Sequence, residues 1–430
     1  MKNILIKSGR LIDPVRGLDG IQDVALTDGK VAWTGIGQPP EGDWEVIDAE
    51  GKIIAPGFID LHCHLRQPGF EHKESIASGT LAAARGGFTT VCAMPNTEPA
   101  IDDRVSTAFI LNTAAAEGTV RVLPIGCISR GRKGEHLAEM GEMTESGVIG
   151  FSDDGSSVPS ARLLKQAMEY AATLGMPILE HCEETSLAEG GQVNEGVIAT
   201  RLGLAGIPNA AEDIIVARDI ALARLTGARL HLCHISTRGA VSLIRQAKAE
   251  GVAVTAEVTP HHLTLTEDRC LNYDTNAKVN PPLRTTADVM ALIEGLIDGT
   301  IDAVATDHAP HTDNDKCCEF NLAPFGISGL ETAFGSLMKL VHSGRVPFEL
   351  IIEKLTSAPA RIIGGLHGLT GSLKPGDPAD LVMLNPTAEW TVDIGEFASK
   401  GRNTPLAGER LKGKVTMTIC GGKIVYQAMS

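Results

Sequence analysis

Eight apolar, β-rich runs recur along the middle of the chain, and each ends in polar residues or a Gly- or Pro-marked turn. The runs read GFIDLHCH, TTVCAMPN, VRVLPIGCIS, GVIGFSDD, MPILEHC, ARLHLCHIS, VAVTAEVTPHH and IDAVATDHAPH. Helix-like stretches such as SARLLKQAMEYAATLG and AVSLIRQAKAEG separate them at the spacing of βα units. Because a doubly wound sheet more often has fewer strands, eight units predict a (β/α)8 TIM barrel over residues 55–365.

The two ends of the chain differ from this middle part. Residues 1–54 and 366–430 are dense in short strands and turns, such as KVAWTGIG, DLVMLNP and GKVTMTICGGKIVY. Neither end is long enough to bury a core of its own. We therefore expect both ends to form one small β-sandwich beside the barrel.

Composition and charge exclude several classes of function. The 430 residues carry a formal net charge of −15, without a basic block, which argues against a nucleic-acid or anionic-membrane partner. No apolar run approaches the ~18 residues that span a bilayer, and the N-terminal MKNILIKSGRLIDP lacks the apolar core of a signal peptide. Nine scattered cysteines, mostly inside apolar runs, suit a reducing compartment, so we expect a cytoplasmic protein. The adjacent Cys317 and Cys318 lie in a polar segment and are expected to be exposed loop thiols.

The first run closes with two histidines one residue apart. In an extended strand, residues i and i+2 point to the same side, so His62 and His64 would project together. Cys63 would face the other way. Taken alone, the pair indicates either a metal site or an ordinary half-buried strand.

Polar residues at the ends of other runs decide between these two interpretations. In a parallel barrel, the C-terminal ends of all strands open onto one face, where residues far apart in sequence can meet. Four histidines and two carboxylates would gather there, which suits two divalent metals, with zinc as the first candidate. These residues are His62, His64, one of Asp153 and Asp154, His181, His234 and Asp307. His231, three positions before His234 and so on the opposite strand face, is assigned to packing or helix-side contacts.

Seven motifs give the chain a resemblance to the type I dihydroorotases of the cyclic amidohydrolase superfamily. The motifs are DLHCHLRQPG at 60–69, AMPNTEP at 93–99, GFSDDG at 150–155, NPPLR at 280–284, ATDHAPH at 305–311, EFNLAPFGISGLET at 319–332 and GRNTPLAGERLKG at 401–413. Many members of the superfamily bridge two metals with a carbamylated lysine on the fourth strand. Here Ser152 stands at that position, and the resemblance implies that Asp154 is the bridging ligand.

The resemblance also implies a ligand set and a reaction. His62, His64 and Asp307 would hold one zinc ion, His181 and His234 a second, with Asp154 between them. The reaction would be the reversible hydrolysis of (S)-dihydroorotate to N-carbamoyl-L-aspartate, the third step of de novo pyrimidine biosynthesis. A metal-activated hydroxide would attack the cyclic amide, with Asp307 as general base and then general acid.

Further residues resemble the family's substrate contacts. Arg66 offers a planar fork for the substrate carboxylate, and Asn96 and His311 resemble the other contacts to that group. Asn280 and the backbone of Phe325 and Gly326 resemble contacts to the amide edges of the ring, and His64 adjoins the same site. Without the resemblance, Asn96 could be a turn former and Arg66 a surface charge. The polar segment 308–320 is interpreted as a loop that covers the substrate.

Three alternative functions remain open at this point. A hydantoinase, dihydropyrimidinase or allantoinase shares the barrel and the chemistry, but Ser152 and Arg66 disfavour it. A non-catalytic partner of aspartate transcarbamoylase would lack part of the ligand set, which is complete here. A metal-binding protein without catalysis leaves Arg66, Asn96 and His311 unexplained. Family habit further implies a homodimer and association with aspartate transcarbamoylase.

Overall fold

The computed structural model describes residues 3–364 and 368–428. Within them, seventeen strands are formed: β1 (Ile4–Asp13), β2 (Leu18–Thr27), β3 (Lys30–Gly35), β4 (Glu45–Asp48), β5 (Ile53–Pro56), β6 (Phe58–Cys63), β7 (Phe88–Ala93), β8 (Arg121–Pro124), β9 (Ile178–Glu180), β10 (Val193–Asn194), β11 (Gly206–Ile207), β12 (Leu230–Leu232), β13 (Val254–Val258), β14 (Ala303–Val304), β15 (Leu381–Thr391), β16 (Arg410–Cys420) and β17 (Lys423–Gln427).

Fourteen α-helices occupy the described residues: α1 (Ile76–Arg85), α2 (Arg104–Glu117), α3 (Met140–Ser146), α4 (Ala161–Leu174), α5 (Thr185–Ala188), α6 (Val197–Leu202), α7 (Asn209–Thr226), α8 (Arg238–Ala249), α9 (Pro260–Thr264), α10 (Thr286–Asp298), α11 (Asp313–Lys316), α12 (Ala333–His342), α13 (Phe348–Leu355) and α14 (Ser357–Ile362). The two helical stretches singled out in the sequence form α4 and α8. Side-chain caps explain where they begin, because Ser160 accepts from the Leu163 amide and Thr237 from the Ala240 amide.

The parallel strands close into a ring. Strands β6, β7 and β8 pair in order, and so do β9, β12, β13 and β14. The fourth run contributes a single bridging residue, Phe151, which pairs with Gly126 on one side and Ile178 on the other. Cys63 pairs with His308 and closes the ring. Seven strands and one bridge therefore form the predicted eight-membered barrel.

Both ends of the chain meet in a separate, mainly antiparallel sheet of eight strands. Its order is β17-β16-β15-β5-β1-β2-β3, with β4 paired to β1. Buried Ile6, Leu11, Ile54 and Leu381 belong to one apolar cluster on this sheet. The predicted fold class, a TIM barrel with a flanking β unit from both chain ends, is confirmed. The boundary between residues 365 and 366 lies outside the described residues, and the division into domains stays a prediction.

Apolar residues fill the barrel below the polar strand ends. One cluster joins Ile59, Leu61 and Leu179 from different strands with Ile362 and Ile363 near the end of α14. The strand members of this cluster precede the polar residues that close the same runs. The larger cluster packs the strands against the surrounding helices. Among the described residues, no helix has both the length and the apolar character needed to span a membrane.

Candidate active site

One buried carboxylate lies at the centre of the predicted ligand set. Asp154 Oδ1 lies 3.3 Å from His62 Nε2 and 3.5 Å from His234 Nε2. The same oxygen lies 3.6 Å from His181 Nδ1, and Asp154 Oδ2 lies 3.5 Å from His64 Nε2. All five side chains are buried. Asp154 therefore contacts four histidines that come from the ends of β6, β9 and β12.

A second carboxylate adjoins the first two histidines. Asp307, which follows β14, places Oδ1 3.1 Å from His64 Nε2 and 3.6 Å from His62 Nε2. On the other side of the cluster, His181 Nδ1 lies 3.0 Å from His234 Nε2. The barrel thus brings all six sequence-predicted ligand residues into one cluster.

Two of the histidines are held from behind through their other ring nitrogen. His62 Nδ1 donates to Glu257 Oε1 at 2.9 Å, and His64 Nδ1 donates to Asn96 Oδ1 at 2.8 Å. Since a carboxylate and an amide oxygen only accept, each Nδ1 carries a proton, and in the neutral ring Nε2 is the nitrogen that is available to a metal in the cluster. Such outer partners fix the orientation and tautomer of histidines that bind metals.

Glu257 is the residue that the sequence interpretation missed. It lies on β13, is fully buried, and also accepts from His231 Nε2 at 3.1 Å through its second oxygen. His231, assigned to packing from strand parity, therefore supports the cluster through Glu257. The signal was present in the run VAVTAEV, where a lone glutamate interrupts an apolar strand.

The geometry separates the two adjacent aspartates that strand parity left open. Asp153 turns away from the histidines, since its Oδ1 accepts from the amides of Ile128 and Ser129 at 2.9 and 3.0 Å. Asp154 faces the cluster instead. The Ser152 hydroxyl, at the position where the resemblance expects the superfamily's bridging lysine, accepts a hydrogen bond from the Asp154 amide at 3.1 Å. Of the two adjacent aspartates, Asp154 is therefore the one whose carboxylate faces the histidines.

The aspartates and histidines of the cluster shift each other's pKa values. Burial opposes ionisation of Asp154 and Asp307, but the nearby histidines outweigh it and hold both pKa values below their usual range. Burial also opposes protonation of His62 and His181, yet their contacts with Asp154 raise both pKa values. The two aspartates are thus ionised over the physiological pH range.

Unpartnered polar atoms indicate that the cluster is built for cations. Buried atoms without a hydrogen-bond partner among the described residues include four from the cluster: His62 Nε2, Asp154 Oδ1, His181 Nε2 and His234 Nδ1. Such atoms are costly unless a ligand satisfies them. Two triads also bring their ligand atoms within 4.8 Å of one another: His62, His64 and Asp307, and His62, Asp154 and His234. The residues present fit a metal centre.

A third triad in the same region has a different explanation. His62, Cys233 and Glu257 also lie within 4.8 Å of one another. Both Glu257 oxygens are already bonded to histidines, and burial raises the pKa of the Cys233 thiol. A protonated thiol is a poor ligand. This triad therefore orients His62.

A cavity opens directly onto the cluster. The substrate contacts implied by the resemblance all line it: His64, Arg66, Asn96, Asn280, His311, Phe325 and Gly326. Burial lowers the pKa of Arg66 to about 10, against the attraction of Asp307 and Asp154, so the guanidinium remains charged near neutral pH. Arg66 Nε donates to the Pro310 carbonyl at 3.3 Å, which holds the side chain at the edge of the cavity.

The remaining lining groups are held by the loops around them. Asn280 Nδ2 donates to Glu183 at 2.8 Å, while its Oδ1 has no partner among the described residues. His311 Nε2 donates to the Phe325 carbonyl at 2.8 Å, and the Gly326 amide donates to the Lys278 carbonyl at 2.9 Å. Asn280 Oδ1 is therefore a free acceptor in this cavity.

The segment 308–320 is more ordered than the loop expected from sequence. It contains the short helix α11, whose start is fixed because Thr312 and Asp315 cap each other. Lys316 Nζ is buried and donates to the carbonyls of Thr275, Lys278 and Pro324. Cys317 and Cys318 follow and are exposed, as expected.

Comparison with known proteins agrees with this geometry. A family model described as dihydro-orotase-like matches residues 51–240. A protein from Pelotomaculum thermopropionicum named "Dihydroorotase" is 52% identical over 425 residues, which cover 99% of this chain and 98% of the relative. The chain belongs to the dihydroorotase family. A second dihydroorotase, from Geobacter metallireducens, is 49% identical and covers 99% of this chain and 100% of its own length.

Solved structures place this dihydroorotase-family chain within a wider fold. The L-hydantoinase (dihydropyrimidinase) from Arthrobacter aurescens superposes with a TM-score of 0.89 at 27% identity, covering 100% of this chain and 97% of its own. The dihydropyrimidinase from Brevibacillus agri gives a TM-score of 0.85 at 23% identity, covering 99% and 95%. The second likeness shows the shared fold alone. The family relatives and the L-hydantoinase likeness identify a cyclic amidohydrolase. The clustered ligand-type residues agree with a metal cofactor.

Proposed function

We propose that the protein is a dihydroorotase, which interconverts (S)-dihydroorotate and N-carbamoyl-L-aspartate. The reaction is the third step of de novo pyrimidine biosynthesis and runs towards ring closure there. The single observation that carries the proposal is the presence of Arg66 in the same cavity as the His/Asp cluster. One site thus combines groups suited to amide hydrolysis with a cation suited to an acidic substrate.

The cofactor proposed for this site is a pair of zinc ions. His62, His64 and Asp307 would hold one ion, and His181 and His234 the other, with Asp154 between them. Nitrogen and carboxylate donors in these numbers suit zinc, and the buried cluster atoms without a hydrogen-bond partner are available as metal donors. When bound, the ions supply a nucleophile near neutral pH and polarise the attacked carbonyl.

Asp307 is proposed as the group that moves the proton. Its carboxylate lies at the cavity and is ionised, so it can accept a proton from the attacking water. It then donates that proton to the departing ring nitrogen as the C–N bond breaks. In the biosynthetic direction the two roles reverse, so one carboxylate serves both.

The lining residues are proposed to hold the substrate. Arg66 binds its carboxylate through two parallel N–H donors. His311 is proposed as a further contact to the same group, and this requires its Nε2–H, which donates to the Phe325 carbonyl here, to be shared with the substrate. Asn96 Oδ1 accepts from His64, which leaves the Asn96 Nδ2 group to donate to the same carboxylate. Asn280 and the backbone of Phe325 and Gly326 face the amide edges of the ring.

Hydantoinase activity is the second candidate, because solved hydantoinases share the fold. Ser152 in place of a bridging lysine and Arg66 beside the cluster disfavour it. The two relatives that are 52% and 49% identical over 99% of this chain carry the name "Dihydroorotase". Homodimer formation, association with aspartate transcarbamoylase and a cytoplasmic location stay predictions.

The test is a metal count per chain together with an assay of both reaction directions. We expect two zinc ions per chain, cyclisation of N-carbamoyl-L-aspartate, and hydrolysis of dihydroorotate. A neutral hydantoin serves as the comparison substrate. Faster turnover of the hydantoin than of dihydroorotate would support the second candidate instead.

A further inference from the structure

Asp307 has a backbone conformation that is uncommon for a residue other than glycine. Its φ is +44°, in the left-handed region that most side chains disfavour. Residues in such conformations persist where the surrounding structure holds them, and they cluster at functional sites. The contacts of the two neighbouring residues therefore decide how the Asp307 backbone is held.

The residue before Asp307 is bound by a buried carboxylate from another strand. Asp60, on β6, is fully buried, and its Oδ1 accepts from the Thr306 amide at 2.8 Å. Its Oδ2 accepts from the Thr306 hydroxyl at 2.6 Å. Thr306 is fully buried as well. One carboxylate thus binds both the backbone and the side chain of Thr306.

The Thr306 hydroxyl also contacts the residue that follows Asp307. Its oxygen accepts from the His308 amide at 3.1 Å. A hydroxyl has one proton and two lone pairs, so it can donate to Asp60 and accept from His308 at the same time. The hydroxyl therefore links the residues on both sides of Asp307, which the bond between the Thr306 amide and Asp60 does not do.

Other contacts hold His308 through different groups. Its carbonyl accepts from the His64 amide at 2.9 Å, and its Nε2 lies 3.3 Å from Glu74 Oε2. These contacts fix the carbonyl and the side chain of His308. The Thr306 hydroxyl binds the His308 amide, which belongs to the peptide group that directly follows Asp307.

The direction of the Asp307 side chain depends on this backbone. Asp307 Oδ1 lies 3.1 Å from His64 Nε2 and 3.6 Å from His62 Nε2. Asp60 and His62 lie on β6, and His64 follows the end of the same strand. One strand end therefore supplies the two histidines that contact the Asp307 carboxylate and the carboxylate that holds its backbone through Thr306.

We propose that Thr306, together with Asp60, is a positioning residue for Asp307, because its hydroxyl holds the left-handed backbone that directs the Asp307 carboxylate at His62 and His64. The inference deepens the proposed function and rests on it for the role of Asp307. Neither Thr306 nor Asp60 is among the described residues that line the cavity, so both act without touching the substrate.

The first experiment compares Thr306→Val with the wild-type enzyme in its zinc-loaded form. Valine has nearly the shape of threonine and keeps the amide bond to Asp60, but it lacks the hydroxyl. We expect kcat for dihydroorotate to fall by about 10- to 100-fold, as for outer partners of metal ligands, with KM changed less than about threefold. Thr306→Ser restores the hydroxyl and should return kcat to within about threefold of wild type.

Thr418→Val is the matched control. Thr418 is also fully buried, and its hydroxyl donates to the Ala84 carbonyl at 2.7 Å, beside the sheet that both chain ends form. Both valine variants leave a buried acceptor without its donor, so both should lower Tm. We expect kcat to fall only in Thr306→Val. An equal loss of kcat in Thr418→Val, or no recovery in Thr306→Ser, would overturn the proposal.

Zinc binding to the metal-free protein gives a second measurement that needs no turnover. Asp307 is proposed as a ligand of only one of the two ions. Competition with a chromogenic chelator should therefore show one ion bound about tenfold more weakly in Thr306→Val, and the other within about threefold of wild type. Equal weakening of both ions, or no weakening, would overturn the proposal.

A further variant covers the case in which valine is not accommodated. Thr306→Ala also lacks the hydroxyl and is smaller, so it should show the same loss of kcat and the same selective loss of zinc. Wild-type values in Thr306→Ala would overturn the proposal. Failure of the wild type to turn over dihydroorotate would instead count against the proposed function, and the zinc comparison would still decide the role of Thr306.

Discussion

The metal-ligand cluster and the substrate-binding rim of the same cavity are built in different ways. The cluster residues lie at or just beyond barrel strand ends, are buried, and in part are held by charged partners inside the barrel, such as Glu257 behind His62. The rim residues Arg66, His311 and Phe325 lie on loops and are held largely by backbone carbonyls and by lysines. In the proposed function, the chemistry would rest on the barrel strands, and specificity would rest on loops, which sequence change can alter more easily.

The largest effect is expected inside the cluster, from Asp307→Asn. Asparagine tolerates the positive φ of 44° at this position, so the backbone should be preserved. Loss of the proton-moving carboxylate should lower kcat by at least about 1,000-fold while substrate affinity changes little. Turnover and zinc content are measured together, with Asp298→Asn, an exposed aspartate paired with Arg245, as control. Near-normal turnover with both ions bound would remove Asp307 from the mechanism.

On the rim, Arg66→Ala should act on binding instead of on chemistry. We expect the KM for dihydroorotate to rise roughly 100-fold through the loss of a bidentate charge-assisted contact. The kcat/KM for a neutral hydantoin should change little, because that ring has no carboxylate. Steady-state kinetics on both substrates check this. Equal losses on the two substrates would mean that Arg66 does not recognise the carboxylate.

The Glu257→Gln variant tests whether the hydrogen bond from His62 to Glu257 orients this proposed metal ligand. The amide cannot accept from both His62 and His231, so His62 should lose its fixed orientation. Zinc affinity should fall by about 10- to 100-fold, as for other outer partners of metal ligands. Competition with a chromogenic chelator measures it. Unchanged affinity would show that the barrel strand alone orients His62.

The smallest effect concerns pH. The pKa values of His62 and His181 are raised in the metal-free fold. Protonation of these two side chains therefore stabilises the metal-free fold fully below the unfolded-state pKa of ~6.5. This stabilisation is lost as the pH rises through the pKa values of the folded protein. Zinc must displace those protons at low pH. The zinc-induced increase in Tm should therefore be larger at pH 8 than at pH 6, by on the order of 2 °C. Calorimetry that gives the same increase at both pH values would contradict this.

The same contrast explains what could be predicted from the sequence. In a parallel barrel, the C-terminal ends of all strands lie on one face. This geometry alone predicts that His62, His181, His234 and Asp307 meet there. It could not choose between Asp153 and Asp154, since local hydrogen bonds from Ile128 and Ser129 decide which one turns inward.

The rim could be predicted only through family resemblance. Contacts such as Lys73 with His311, or Lys316 with three carbonyls, join loops whose paths follow no simple period. Strand parity also could not reveal that buried His231 donates to a carboxylate, because parity says which way a side chain points but not which partner it meets. Glu257 is that partner, and it comes from the neighbouring strand.

The most direct test of the central claim is a crystal structure of the zinc-loaded protein, with anomalous diffraction recorded on both sides of the zinc edge. Two peaks per chain are expected. One should lie within bonding distance of His62, His64 and Asp307, and the other near His181 and His234, with Asp154 in contact with both. A peak elsewhere in the barrel, or none among these six side chains, would contradict the claim.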